Sequence, residues 1–137
     1  MLDNLSRYQP YALGVLRIMT ALLFIEHGTQ KLIGFPPSME GGAGGLDGMT
    51  LVTAILEAFG GFLILIGFLT RPVAFILSGF MAVAYFMAHA PQNFFPVNNM
   101  GDAAILYCFI YLYLFVAGPG AWSVDSARRG VSESGVA

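Results

Sequence analysis

The sequence predicts an all-α membrane protein, a bundle of four transmembrane helices that run up, down, up and down. Two observations support this fold class. The 137 residues are 57% hydrophobic and only 10% charged, whereas soluble domains carry about 25% charged residues. The apolar residues also fall into four segments, each near the roughly 20 residues that a helix needs to cross a bilayer. We therefore expect lipid to surround most of the chain.

The breaks between the apolar segments set the predicted helix bounds. We place the helices at about residues 9–33, 49–70, 72–90 and 99–117. They form one domain, residues 1–126, which a short polar cytoplasmic tail follows at 127–137. Pro10 and Pro72 suit first helical turns, because the N–H that proline lacks would have no partner there. The first connection is rich in Gly and Pro, and its unpaired backbone groups must lie outside the hydrocarbon or against protein.

The basic residues favour one orientation, since Lys and Arg concentrate in cytoplasmic loops. If the chain crosses four times, one side of the membrane receives Arg7, Arg71, Arg128 and Arg129. The loops on the other side contain neither Lys nor Arg. The sequence therefore predicts that both termini are cytoplasmic. The few basic residues are too scattered for a phosphate-binding patch, which argues against nucleic acid as a partner.

Six ionisable residues near helix ends form the predicted functional site. In an up-down-up-down bundle, the ends of odd helices and the starts of even helices share one side, and there lie Glu26, His27, Lys31, Glu57, His89 and Asp102. Burying one such group mid-helix costs on the order of 2.5–3.5 kcal/mol, so the bundle must pair or hydrate them. One interpretation is a polar clamp in which Glu26 or Glu57 pairs with Lys31. The other is a small-molecule or proton site.

If the site is catalytic, histidine and carboxylate side chains are its natural proton carriers. Histidine exchanges protons near neutral pH, so we predict as catalytic residues His27, Glu57 and His89. His27 would hydrogen-bond or protonate the ligand, and the other two would relay protons.

Four further residues are predicted to bind the substrate: Glu26, Lys31, Arg17 and Asp102. Lys31 or Arg17 could stabilise negative charge that develops on the substrate. Arg17 is nearer the cytoplasmic half of its helix, where it either snorkels towards lipid headgroups or bridges helices.

The residue inventory also bounds the cofactor. Two histidines and three carboxylates could supply metal ligands, but their spacing matches no tight motif. Haem held by His27 and His89 is disfavoured, because we estimate that the two histidines lie at different depths in the membrane. Cys108 is the only cysteine, which excludes an internal disulfide and a CxxC pair. Redox chemistry would therefore need a cofactor or a partner protein.

Several different short motifs are spread along nearly the whole chain. They are Arg17 followed by Phe24 to Leu32 (FIEHGTQKL), Glu57 to Gly61 (EAFGG), Gly67 to Arg71 (GFLTR), His89, Asn99 to Asp102 (NMGD) and Gly118 to Asp125 (GPGAWSVD). Together they resemble the DoxX family of small bacterial membrane proteins. Asp102 departs from the family pattern, in which glutamate is usual, so the charge is kept with a shorter reach.

The resemblance implies a four-helix protein of the bacterial inner membrane. Related proteins include the quinone-reducing large subunit of a thiosulfate:quinone oxidoreductase, and others are linked to oxidative stress and thiol redox balance. Our leading hypothesis is a redox-associated subunit that binds quinone or a similar apolar carrier and, if it is an enzyme, acts with a partner protein. The alternatives are a non-enzymatic scaffold that anchors a redox partner and a small carrier or proton pathway, which would need a homo-oligomer.

Overall fold

The computed structural model describes residues 2–38 and 46–134, with side chains for residues 4–38 and 46–130. Within these ranges every regular element is helical. Three helices there are long and apolar enough to cross a membrane: Asn4–Ile33, Gly48–Ile66 and Thr70–His89. A fourth apolar helix, Asp102–Ala117, has 16 residues. The predicted all-α transmembrane class is confirmed.

Six helices are distinguished below. They are α1 (Gln9–Ile33, preceded by the 3-10 helix Leu2–Tyr8), α2 (Gly48–Ile66), α3 (Thr70–His89), α4 (Pro96–Asn99), α5 (Asp102–Ala117) and α6 (Val124–Ser134). One turn of α2, Leu56–Gly60, and the last turn of α3, Tyr85–His89, are π-helical. The wider π turn inserts one residue into the helical register and is frequent at functional sites.

Internal contacts divide the chain into two compact units. The first unit runs to Leu69 and resumes at Pro119, and it contains α1, α2 and α6. The second unit, Thr70–Gly118, contains α3, α4 and α5. The single domain that the sequence predicts over residues 1–126 stays a prediction. Each unit is described by itself below.

Local chemistry explains where α1 ends and α2 begins. Gly34 takes a left-handed conformation (φ 68°), which glycine adopts without steric cost and which commonly ends helices. The Asp47 carboxylate accepts a hydrogen bond of 2.7 Å from the Thr50 N–H, which satisfies one free amide of the first turn. That bond holds the pKa of Asp47 below its ordinary value.

The predicted end of the second helix and the predicted start of the third helix were wrong. The second helix ends at Ile66, not near residue 70, because Gly67 and Leu69 both take positive φ angles, 66° and 50°. The third helix begins at Thr70, not at residue 72, and ends at His89. Pro72 still falls in its first turn, where the missing N–H leaves no bond unmade.

The start of the fourth helix also needs correction, and the structure adds a helix to the predicted tail. The fourth long helix begins at Asp102, not at residue 99, because Pro96–Asn99 forms the separate turn α4, which Met100 ends at φ 57°. The predicted polar tail from residue 127 is helical as far as Ser134, within α6. Ser123 begins α6 by accepting a hydrogen bond from the Ser126 N–H. Residues 135–137 of the predicted tail lie outside the described residues.

In the first unit, Arg17 holds the segment that precedes α6 against α1. The residue is fully buried, and its Nη2 donates to the carbonyl oxygens of Ala121 (3.1 Å) and Trp122 (2.8 Å). Its Nη1 lies 3.5 Å from the carbonyl oxygen of Ile64 in α2. Of the two predicted roles, snorkelling is therefore wrong, and Arg17 bridges helices through their backbone.

The second unit uses an arginine in the same way. Arg71 at the start of α3 donates from Nη1 to the carbonyl oxygens of Phe115 (2.7 Å) and Val116 (2.6 Å). These carbonyls lie in the last turn of α5, which has no intrahelical donors for them. Further along, Ser78 donates to the carbonyl oxygen of Cys108 at 2.9 Å. Both contacts join α3 to α5.

The close crossing of α1 and α2 depends on small residues. A Cβ atom added at Gly28 would lie 2.8 Å from the Ala54 carbonyl oxygen and 2.8 Å from the Ala58 Cβ. Both distances are shorter than van der Waals contact, so only glycine fits at this crossing. Membrane helices commonly approach each other through such small residues.

We expect that Arg17→Met destabilises the protein by about 2–4 kcal/mol, because it leaves buried carbonyl groups without donors. The stability of Arg17→Lys should lie between those of wild type and Arg17→Met, since one ammonium group cannot reach the same set of carbonyls. Denaturant titration of detergent-solubilised protein, followed by circular dichroism, measures the effect. Arg7→Met, at an exposed arginine, is the control. Equal stability of the Arg7 and Arg17 variants would contradict this account.

We expect opposite effects from two Gly→Ala substitutions within helices. Gly28→Ala should cost about 1–3 kcal/mol, because α1 and α2 must move apart. Gly79→Ala in α3 should be neutral or stabilise by up to about 1 kcal/mol, because alanine favours helix and its Cβ would meet open space. Thermal unfolding of both variants in one detergent tests this. A Gly28 variant as stable as wild type would refute the close crossing.

Candidate functional site

The first unit contains a partly buried ion pair between two of the predicted site residues. Lys31 Nζ on α1 lies 2.7 Å from both carboxylate oxygens of Glu57 on α2. The Glu57 side chain is 9% exposed and that of Lys31 34%. Two short charge-assisted hydrogen bonds occupy the carboxylate. Of the two predicted partners of Lys31, the structure selects Glu57.

The helix geometry explains why Glu57 faces α1. Glu57 lies in the π turn Leu56–Gly60, immediately beside Ala58, which contacts α1 at Gly28. The short distance between the helices at this crossing brings the carboxylate within reach of a lysine one turn further along α1. The pair therefore depends on the same small residues as the helix crossing.

The other predicted residues of the first unit differ from this pair in exposure or position. Glu26 and His27 are both exposed. Arg17 lies about 14 residues before Lys31, roughly 21 Å along the helix, and its guanidinium group binds backbone carbonyls. The predicted substrate-binding roles of Glu26, Lys31 and Arg17 stay predictions.

In the second unit, His89 lies in the π turn that ends α3. Its Nδ1 is 2.9 Å from the carbonyl oxygen of Asn99 in α4, and its ring stacks on that of Tyr85 with centroids 6.3 Å apart. His89 is partly buried, and Asp102, which begins α5, is exposed. The predicted catalytic role of His89 and the binding role of Asp102 also stay predictions.

An apolar cavity of about 280 Å³ lies between α3 and α5, within the second unit. Its walls include Met81, Ala82, Tyr85, Phe86, Cys108 and Phe109. Tyr85 thus joins the cavity to His89, since one tyrosine ring lines the former and stacks on the latter. Phe86 and Phe109, two aromatic side chains that line the cavity, are 70% and 63% exposed, so the cavity opens beside these two rings.

The structure thus brings together one predicted pair, Lys31 with Glu57, and gives His89 two partners that the sequence did not indicate. That all six polar residues share one membrane face stays a prediction. Among the described side chains, no three His, Cys, Asp or Glu residues come close enough to hold a metal ion.

Sequence reasoning missed Tyr85, Asn99 and the cavity. The spacing of Tyr85 and His89, four residues apart on one helix, was a usable signal, because such residues are neighbours on a helix surface. Asn99 begins the NMGD motif, but the motif does not indicate its role, which depends on α4 packing back against α3. The cavity arises from the fit of two helices and cannot be read from either alone.

Comparison with known proteins identifies the family. The sequence profile of the DoxX family matches residues 12–90, more than half of the chain. An uncharacterized protein of Haemophilus influenzae is 45% identical over 129 residues, 91% of this chain and 96% of its own length. The inner membrane protein YqjF of Escherichia coli is 39% identical over 117 residues, 81% of this chain and 87% of its own length. No solved structure matches the chain at a significant level. The chain is therefore a member of the DoxX family and a protein of the bacterial inner membrane.

Proposed function

We propose that this protein binds quinone, or a similar apolar ring-bearing carrier, in the second unit and serves as the membrane subunit of a redox system. One observation carries the proposal. An apolar cavity reaches a histidine through a shared tyrosine wall, because Tyr85 both lines the cavity and stacks on His89.

The cavity is slightly smaller than most ligand pockets, and the atoms that line it are apolar. Ligand pockets usually measure about 300–1,000 Å³ and are mostly apolar with a few polar groups. A cavity of about 280 Å³ takes a substituted ring but not a long isoprenoid tail. The tail would leave beside Phe86 and Phe109, whose exposed rings lie at the opening. Aromatic walls also favour stacked or edge-on contacts with a flat ring.

The histidine next to the cavity supplies the polar end of the site. His89, one of the predicted catalytic residues, contacts a cavity-lining side chain, so it takes the role that the sequence analysis gave to His27. Glu57 and Lys31 already neutralise each other, which suits them less to stabilising charge on a ligand. A single cysteine supplies no dithiol couple, so electrons would come from a partner protein.

We expect that filling the cavity weakens quinone binding. Ala82→Phe puts a ring into the cavity, and we expect it to weaken binding of short-chain ubiquinone or menaquinone about tenfold or more, a loss of at least 1.4 kcal/mol. Ala103→Phe, at an exposed position of α5 outside the cavity, is the matched control and should bind as wild type does. Quenching of protein fluorescence by the quinone, in detergent and in nanodiscs, measures the affinity.

Two results would count against the quinone proposal. One is wild-type protein that binds neither quinone at concentrations below those at which the quinone partitions non-specifically into detergent. The other is equal binding by the Ala82 and Ala103 variants, which would place the ligand elsewhere. Native mass spectrometry of gently extracted protein is an independent check, because a bound quinone would appear as an added mass.

A second candidate function, a non-enzymatic scaffold, is favoured by the Lys31–Glu57 pair. Its two hydrogen bonds of 2.7 Å tie α1 to α2, as a polar clamp would. On this interpretation the first unit contributes rigidity and a surface for a partner protein, without a chemical step.

The clamp predicts a specific pattern of stabilities. Glu57→Gln should lower the free energy of unfolding by about 1–3 kcal/mol, between the ranges for exposed and buried pairs, because it leaves Lys31 without its counter-charge. The double variant Lys31→Met with Glu57→Gln should recover part of the loss, since no unpaired charge remains. Glu26→Gln, at an exposed carboxylate on the same helix, should stay within about 0.5 kcal/mol of wild type.

Chemical denaturation of these variants measures the clamp, and quinone titration of the folded protein separates the two functions. A structural clamp changes stability and leaves affinity intact. If Glu57→Gln instead removes quinone binding without loss of stability, Glu57 belongs to the ligand site and the scaffold interpretation fails.

A further inference from the structure

A buried asparagine organises the polar groups next to the cavity. Asn99 is 1% exposed, and its Nδ2 donates to the carbonyl oxygen of Asn93 (2.8 Å) and to the hydroxyl of Tyr85 (3.3 Å). Its Oδ1 accepts from the Gly101 N–H at 2.8 Å. A backbone N–H can only donate, so the orientation of the amide is determined. We call Tyr85, Asn93, Asn99 and Gly101 the Asn99 network.

The Asn99 network fixes the backbone carbonyl that His89 contacts. Both amide hydrogens of Asn99 and its amide oxygen have partners, so rotation of the residue would break three hydrogen bonds. The space around the network is also full, since a Cβ at Gly101 would lie 2.6 Å from Asn99 Oδ1. The Asn99 carbonyl therefore presents a rigid acceptor to the imidazole.

This acceptor decides which nitrogen of His89 carries the proton. A carbonyl oxygen has no hydrogen to give, so the 2.9 Å contact with Nδ1 requires the hydrogen to be on Nδ1. A neutral imidazole has only one N–H, and its other nitrogen is then an acceptor. Within the described residues, no group hydrogen-bonds to Nε2 of His89. The neutral side chain thus offers a lone pair on Nε2.

Tyr85 supplies the complementary donor. Its hydroxyl oxygen accepts from Asn99, which leaves the hydroxyl hydrogen to donate to another oxygen. The cavity wall itself is apolar, so a ligand meets one donor and one acceptor only where its polar end passes this wall and reaches the Tyr85 hydroxyl and His89 Nε2. A hydroxyl group satisfies both, because it donates and accepts, whereas a carbonyl oxygen satisfies only the donor.

We propose that Asn99 is a positioning residue that keeps the proton of neutral His89 on Nδ1, and that the site therefore prefers the hydroxyl form of a quinone-like ring, a hydroquinone or phenol, to the carbonyl form. The choice of ligand form rests on the proposed function, whereas the position of the proton does not. The two parts can therefore be tested separately.

The first experiment locates the proton by ¹⁵N NMR of histidine-labelled protein, because the ¹⁵N shifts of the ring distinguish the two neutral tautomers. His89→Asn identifies the signals of His89 by their loss, since the chain has only two histidines. Wild type should show the Nδ1–H tautomer. Asn99→Ala should shift His89 towards the Nε2–H tautomer, while Asn98→Ala, at the exposed neighbour, should not. An Nε2–H tautomer in wild-type protein would overturn the inference.

The second experiment compares a short-chain ubiquinol with the matching ubiquinone, both added anaerobically. Wild type should bind the quinol about tenfold more tightly, a difference of 1.4 kcal/mol. His89→Asn keeps a donor in place of Nδ1 and removes Nε2, so it should lose the preference while still binding the quinone. Asn99→Ala should reduce the preference. If Asn99→Ala fails to fold, Asn99→Asp keeps the acceptor for Gly101, and His89→Asn alone still tests the preference.

The outcomes separate this inference from the proposed function. Binding of both ring forms with equal affinity, together with the Nδ1–H tautomer, refutes the preference and leaves the quinone proposal intact. Binding of neither form refutes the quinone proposal and the preference together, and the tautomer of wild type and Asn99→Ala then decides whether Asn99 is a positioning residue.

Discussion

The structure depends on one constraint: inside a bilayer, backbone groups that leave a helix must find partners within the protein, because hydrocarbon offers none. Two arginines bind such carbonyls, the buried Arg17 and the exposed Arg71. Arg17 is fully buried and binds the carbonyls of the segment before α6, and Arg71 binds those in the last turn of α5. Arginine suits the task because its planar fork presents five N–H donors and stays charged. An arginine in a membrane helix, which in the sequence suggests ligand binding, can therefore instead donate hydrogen bonds to backbone carbonyls.

The same constraint sorts the candidate residues of the two units. In the first unit, Lys31 and Glu57 neutralise each other and Arg17 serves carbonyls, so these charges already have partners. In the second unit, the Asn99 network holds His89 through one nitrogen and leaves the other as an acceptor. The cavity adjoins that second group of residues through Tyr85. For this reason the quinone proposal concerns the second unit, whereas His27, the leading histidine of the sequence analysis, lies in the first.

Local signals predicted the fold class and some helix ends, but they missed features that depend on packing. Pro10 and Gly34 mark the ends of α1 because their effect on the backbone is intrinsic. The end of α2 was missed because the apolar run continues past Gly67, and apolarity alone does not reveal a left-handed residue. The choice between Glu26 and Glu57 as the partner of Lys31 was also open. Only the close approach at Gly28, a property of two helices, decides it.

The two π turns connect the fold to the site. Each contains one of the predicted catalytic residues, Glu57 in α2 and His89 at the end of α3. A π turn costs regular hydrogen bonding and persists where tertiary contacts compensate. At Glu57 the compensation is the ion pair with Lys31, which is complete within the protein. At His89 it is one hydrogen bond from Nδ1 to the Asn99 carbonyl oxygen, which leaves Nε2 available. The two π turns therefore differ. The ion pair occupies the Glu57 carboxylate, whereas His89 keeps Nε2 available and contacts Tyr85, which lines the cavity.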